Sequence, residues 1–158
     1  MKSAELENLV KTGHLSEEPP LPDEIRHSLE RAANLLLDAK RAGTRDGRFS
    51  LAYDSAYAFA RAALRRAGYR ASARYMAFQC LIHTTDTSAQ DWRVFDDAHR
   101  ARNKIAYDGD SLETFSSLHT NLVETLLQAT ERLAECLREL EHGGDRVLPL
   151  RPRPPVRC

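Results

Sequence analysis

The chain has 158 residues, of which 42% are hydrophobic and 29% are charged, and its formal net charge is zero. This length suits one domain with a single core. The balance of 23 basic against 23 acidic residues excludes a protein that coats nucleic acid through a general basic excess, but it leaves room for a local phosphate site.

The first 22 residues are predicted to form a leader. A short helix is expected over 3–11, and the prolines of GHLSEEPPLP that follow it are incompatible with a helix interior. MKSAELENLV is too acidic for a secretory signal, and no apolar stretch reaches the roughly 20 residues of a membrane span. We therefore expect a cytoplasmic protein without membrane association, whose three cysteines (Cys80, Cys136 and Cys158) are reduced.

Two helices are predicted in the first half of the main domain, which spans residues 23–142. The first helix begins after Asp23 as its N-cap and stops at Gly43. TRDGRFS, at 44–50, has the composition of a turn. The second helix is predicted from Leu51 to Ala67, with Gly68 as its C-terminal glycine.

The second half is predicted to contain a short helix over 71–84 and two longer helices. Ser88, with Asp91 three residues later, is a capping signal for a helix that starts near Ala89 and ends at Asp108-Gly109. A long helix follows over 110–141, and the Pro/Arg-rich residues 143–158 are predicted to be a flexible tail. The predicted fold is an all-α, up-and-down bundle of four main helices plus one short helix.

The segment RARNKIAYDGD, at 100–110, concentrates polar chemistry at the end of a helix. Arg102 falls at the edge of the buried face, with His99 one turn before it and Asn103 beside it. A guanidinium can bind phosphate oxygens in a bidentate manner, an amide can orient a neighbour, and an imidazole can move a proton. The alternative is structural, since a basic side chain also stabilises a helix C-terminus and an arginine often lies along a core edge.

Two segments resemble one known family. RNKIAY, at 102–107, has the Arg-Asn start and the span of the family's Arg-polar-(few residues)-His motif, and LAYDSAYAFARAALRRAGYR, at 51–70, is similar to the Tyr/Ala-rich second helix of bacterial members. Over roughly residues 23–141 the chain therefore resembles the HEPN superfamily (higher eukaryote and prokaryote nucleotide-binding domains). Its members are all-α bundles, so the resemblance implies an HEPN-like fold.

The resemblance also implies an activity. Many HEPN proteins are metal-independent endoribonucleases of toxin–antitoxin or phage-defence systems and act as homodimers, with no cofactor. It implies that Arg102 binds the scissile phosphate, that Asn103 orients the site, and that position 107 carries the proton-transferring histidine. This chain has Tyr107 there, whose phenol titrates near 10. His99 is the candidate for the missing imidazole, and the partners implied are RNA or a nucleotide, a second copy, and an antitoxin.

Two other functions stay open. Tyr107 favours a non-catalytic HEPN module that binds a nucleotide or pairs with a nucleotidyltransferase. The other alternative is an interaction bundle with no nucleic-acid role, in which Arg102 would be held by Asp96, Asp97 or Asp108.

Two further groups of residues allow either a functional role or a packing role. Tyr53, Asp54 and Tyr57 could line a pocket, although packing between helices is the expectation. Cys80 and His83 lie one turn apart but lack the further ligands that zinc needs, so no metal site is predicted.

Overall fold

The fold is known from a computed structural model that describes residues 3–108 and 121–144, with side chains from 3 to 106 and from 121 to 141. The elements in chain order are α1 (Ala4–Lys11), β1 (Leu15–Glu17), α2 (Pro22–Arg41), α3 (Arg45–Arg66), β2 (Tyr69–Ala71), α4 (Arg74–Gln79), α5 (Leu81–Thr84), α6 (Ala89–Asn103), a π-helical turn (Lys104–Asp108) and α7 (Leu122–Gly144). The prediction of an all-α bundle with four main helices is confirmed, and these helices are α2, α3, α6 and α7.

The main core lies between α3 and its neighbours. Residues 42–44 alone join α2 to α3, so the two helices pack side by side, and α7 contacts α2, α3 and α6. Small side chains on α3 let these helices approach closely, and aromatic rings fill the remaining space (Ala52, Ala56, Ala60, Phe59, Phe78 and Phe95 are all buried). Burial of each phenylalanine contributes about 1.5 to 3 kcal/mol to the stability of the bundle.

The start of α3 differs from its prediction. Residues 45–50 of the predicted turn form the first turns of the helix, because Thr44 is an N-cap whose Oγ1 accepts a hydrogen bond from the Gly47 amide at 3.0 Å. A Cβ atom on Gly47 would lie 2.8 Å from that hydroxyl, so a larger residue at this position would require the Thr44 side chain to shift. The predicted end is correct: Gly68 has a positive φ of 93°.

The segment predicted to be a leader packs against the bundle. α1 covers nearly the same residues as the short helix predicted over 3–11. β1 pairs with β2 in antiparallel register, with Leu15 opposite Ala71 and Glu17 opposite Tyr69. Leu6 and Leu15 enter a second, smaller core with Leu64, Tyr69 and Cys80. Strands of three residues give too little alternation to be recognised in a sequence.

The region after β2 also differs from its prediction. The single short helix expected over 71–84 is two helices, α4 and α5, that meet at Cys80. The capping signal that follows is confirmed, since Ser88 Oγ accepts from the Asp91 amide at 3.1 Å. The first part of the long helix predicted over 110–141, and most of the predicted tail, lie outside the described residues.

The cysteines only partly follow the expectation of reduced thiols. Cys80 is a buried free thiol, and burial raises its pKa to about 11. Cys136 is disulfide-bonded, so the expectation is wrong for that residue. Within the described ranges, no helix is both long and apolar enough to cross a membrane.

Candidate functional site

The last turn of α6 carries three of the four predicted site residues. Arg102 and Asn103 lie three and four residues after His99, which places each of them next to His99 on the helix surface. All three are partly buried where α6 passes α3 and α4. The structure thus brings His99, Arg102 and Asn103 together.

His99 is hydrogen-bonded at both ring nitrogens. Its Nδ1 lies 2.9 Å from Tyr53 Oη on α3, and its Nε2 lies 3.1 Å from Asn103 Nδ2. With the Asn103 amide in this orientation its NH2 group donates to Nε2, so the imidazole proton is on Nδ1 and is donated to the Tyr53 oxygen. The two bonds fix the orientation of a neutral imidazole.

The surroundings of His99 favour the neutral form. Burial lowers the pKa of His99 below its ordinary value, Arg102 lowers it further, Asp96 opposes this, and Arg74 adds to the lowering. Aromatic rings supply part of the burial: the Tyr75 ring lies 5.5 Å from the imidazole, centroid to centroid. A neutral imidazole at neutral pH is able to accept a proton.

Arg102 approaches the same tyrosine from another side. The guanidinium carbon lies 5.5 Å from the centroid of the Tyr53 ring, within the range of a cation–π contact. Among the described residues no carboxylate forms an ion pair with Arg102, and Asp96 instead pairs with Arg100 at 3.0 Å. The guanidinium is therefore placed by an aromatic face, and its hydrogen-bond donors have no acceptor in the described part of the chain.

Arg74, at the start of α4, extends the positive charge beyond Arg102. Its guanidinium carbon lies 4.6 Å from the centroid of the Tyr57 ring, and Nη1 is 3.5 Å from Asp54 Oδ1. Arg74 also lowers the pKa of both His99 and Tyr53, although burial outweighs it for Tyr53 and raises that pKa overall. Two arginines therefore flank the Tyr53–His99 pair.

Tyr107, the fourth predicted site residue, is only partly described. α-Helical geometry ends at Asn103, earlier than predicted, and the backbone continues to Asp108 as a π-helical turn. Such turns are rare and often occur at functional sites. The Tyr107 side chain lies outside the described part of the chain, as do the side chain of Asp108 and any contact between Asp108 and Arg102.

Two residues of this site, Tyr53 and Arg74, are not among the four site residues predicted from the sequence. Tyr53 was considered as a pocket residue, but packing between helices was the expectation, and the residue is 1% exposed. A buried tyrosine hydroxyl needs a hydrogen-bond partner, and that requirement was the available signal. Its partner is 46 residues away, so the pairing itself was not visible in the sequence.

The described residues include no cluster of three or more His, Cys, Asp or Glu side chains arranged to bind a metal ion. No family model, curated protein or solved structure matches this chain. The likeness to the HEPN superfamily therefore remains a prediction from the two sequence segments described above.

Proposed function

We propose that this chain is an HEPN-like, RNA-directed protein, and most specifically a metal-independent endoribonuclease of the toxin or phage-defence type that acts as a homodimer. One observation carries the proposal: a guanidinium without an acidic partner in the described residues stands beside a neutral, oriented histidine on the same helix turn. The first can hold a phosphate and the second can accept a proton.

Each side chain has a role in the proposed cleavage. Arg102 binds two non-bridging oxygens of the scissile phosphate and stabilises the charge that grows on them. The Asn103 amide turns from His99 Nε2 toward the substrate, which frees that nitrogen to take the proton of the ribose 2′-hydroxyl. Tyr53 holds the ring through Nδ1.

The bonds exchanged define the products. The 2′-oxygen attacks phosphorus as His99 takes its proton, the bond between phosphorus and the 5′-oxygen breaks, and the leaving oxygen takes up a proton from water. The products are a 2′,3′-cyclic phosphate and a 5′-hydroxyl end. The 2′-hydroxyl belongs to the substrate, so this route requires no metal-activated water.

A second function, non-catalytic binding of a nucleotide or of a partner such as a nucleotidyltransferase, is favoured by one specific observation. Both ring nitrogens of His99 are occupied by hydrogen bonds, and a histidine that never releases Asn103 would shape the site without moving a proton. In that case Arg102 would bind phosphate and no RNA would be cut.

Cleavage of RNA by the purified protein tests the first proposal. We expect cleavage in EDTA that leaves a 2′,3′-cyclic phosphate, at least a hundredfold loss of rate for Arg102→Gln, and growth arrest on expression that this substitution abolishes. Arg100→Gln is the matched control, because Arg100 is two residues away and its side chain is 70% exposed. Equal activity of wild type and Arg102→Gln, or no cleavage of any RNA, would overturn the catalytic proposal.

Saturable nucleotide binding without turnover would instead select the binding module. Mass measurement in solution tests the homodimer independently, and a monomer at assay concentration would contradict it.

A further inference from the structure

A separate cleft lies between α2, α3 and α4; Arg74 lines it and His99 does not. Its volume is about 220 Å³, smaller than the 300 Å³ or more typical of a site that encloses a whole small-molecule ligand. Three arginines face it, together with a hydroxyl, an aromatic ring and one carboxylate (Arg31, Arg61, Arg74, Ser28, Tyr57 and Asp54). The donors suit a phosphate group, and the cleft is smaller than a site that encloses a whole nucleotide.

The charges in this cleft are not balanced. Asp54 pairs with Arg74 at 3.5 Å, and in the described part of the chain neither Arg31 nor Arg61 forms an ion pair. Like charges that face one small volume repel each other, and an anion placed between them relieves the repulsion. Because one guanidinium presents several donors in one plane, it can donate to two oxygens of the same phosphate at once.

We propose that the cleft is a second phosphate-binding site, in which Arg31, Arg61 and Arg74 hold one phosphate group of a nucleotide or of RNA. The rest of the ligand lies outside the cleft. Asp54 competes with the phosphate for Arg74, so its carboxylate lowers the affinity of the cleft for phosphate. Binding of phosphate in this cleft does not require the proposed RNA cleavage, in which Arg102 takes part.

The test is a titration of the full chain by calorimetry, with adenosine 5′-monophosphate and with adenosine as the ligand that lacks phosphate. The monophosphate is expected to bind and adenosine is not. Arg31→Gln and Arg61→Gln are each expected to weaken binding about tenfold to a hundredfold, the range for a lost charge-assisted hydrogen bond. Arg26→Gln is the matched control, an exposed arginine of the same helix as Arg31 that does not line the cleft.

Asp54→Asn separates this proposal from a simple loss of folding. Removing the competing carboxylate is expected to tighten binding of the monophosphate about fivefold, and a misfolded variant would not show a gain. The proposal would be overturned if wild type, Arg31→Gln and Arg61→Gln bound the monophosphate with equal affinity. It would also be overturned if adenosine bound as tightly as the monophosphate.

A tetranucleotide of RNA, titrated into Arg102→Gln protein, identifies the source of the phosphate. If the tetranucleotide binds, the monophosphate does not, and Arg61→Gln weakens the binding, the cleft is assigned to the RNA backbone. If the monophosphate binds, the cleft is assigned to a nucleotide. Because the tetranucleotide titration uses a variant without Arg102, it succeeds or fails independently of the proposed endoribonuclease.

Discussion

The phenolic oxygen of Tyr53 lies 2.9 Å from Nδ1 of His99, across the contact between α3 and α6. The two rings also stack, with centroids 6.2 Å apart and planes inclined by 26°. A tyrosine that is almost fully buried thus fixes the imidazole of a partly buried histidine. The orientation of the histidine is therefore set by the core of the bundle.

Removing this hydroxyl should destabilise the protein. Tyr53→Phe keeps the ring and its packing but leaves the His99 Nδ1–H without an acceptor, so we expect a loss of about 1 to 2 kcal/mol in the free energy of unfolding. Urea denaturation measures it, and nitrogen NMR of His99 should show that the Nδ1–H tautomer is less populated. Tyr57→Phe is the control, since the Tyr57 hydroxyl has no partner among the described residues, and it should stay within about 0.5 kcal/mol of wild type. Equal stabilities of the two variants would contradict this role of Tyr53.

The stability of the protein should depend on pH through His99. Its pKa is lowered on folding, so between that folded pKa and the ordinary value of about 6.5 the unfolded chain binds more protons than the folded chain. The free energy of unfolding therefore rises with pH across this window. The contribution of His99 to stability is fully present above about pH 6.5 and is lost as the pH falls toward the folded pKa. His99→Gln does not titrate and should show a shallower dependence between pH 5 and 7 than wild type.

Urea denaturation at several pH values measures both slopes. Glu24 does not confuse the comparison: its pKa is pushed up by burial, but hydrogen bonds from Arg70 and Arg65 outweigh that and lower it overall, so Glu24 stays ionised in this window. Parallel slopes for wild type and His99→Gln would show that the pKa of His99 is unchanged on folding.

The attachment of the first 20 residues should depend on Arg65, which is 2% exposed. Its guanidinium donates to the backbone carbonyls of Glu18, Pro19 and Tyr69 at 2.9 to 3.3 Å. Arg65→Met leaves these acceptors unpaired, and we expect a loss of about 2 to 3 kcal/mol, with faster hydrogen exchange in β1.

The control for this prediction is Arg61→Met, an exposed arginine one turn earlier in α3. It should leave both stability and exchange in β1 close to wild type. Unchanged exchange at the Leu15 amide in Arg65→Met protein would show that the strand pairing alone holds the segment.

The sequence predicted the elements whose stability is local. Apolar periodicity located the main helices, and Ser88 and Gly68 act at helix ends as their residue types indicate. Residues 45–50 were wrongly assigned to a turn because Asp46 and Gly47 are weak helix formers, and the Thr44 cap and core packing outweigh that weak propensity.

The candidate site was predictable only along its own helix. Spacing alone placed His99 one turn before Arg102, with Asn103 beside it. The Tyr53 oxygen that accepts from His99 and the charge of Arg74 come from other helices, and a single sequence contains no distance between helices. The role of Arg65 was not predicted for the same reason. Its acceptors are backbone carbonyls of residues 18–19 and of β2, which come near Arg65 only in the folded chain.

The most direct test of the central claim, that Arg102 binds the phosphate of RNA, is an equilibrium measurement that requires no cleavage. Fluorescence anisotropy with a 2′-O-methyl RNA, at one fixed salt concentration, compares wild type, Arg102→Gln and Arg100→Gln. We expect Arg102→Gln to bind about tenfold to a hundredfold more weakly than wild type and Arg100→Gln to bind within about twofold of it. An affinity of Arg102→Gln equal to that of Arg100→Gln would contradict the claim.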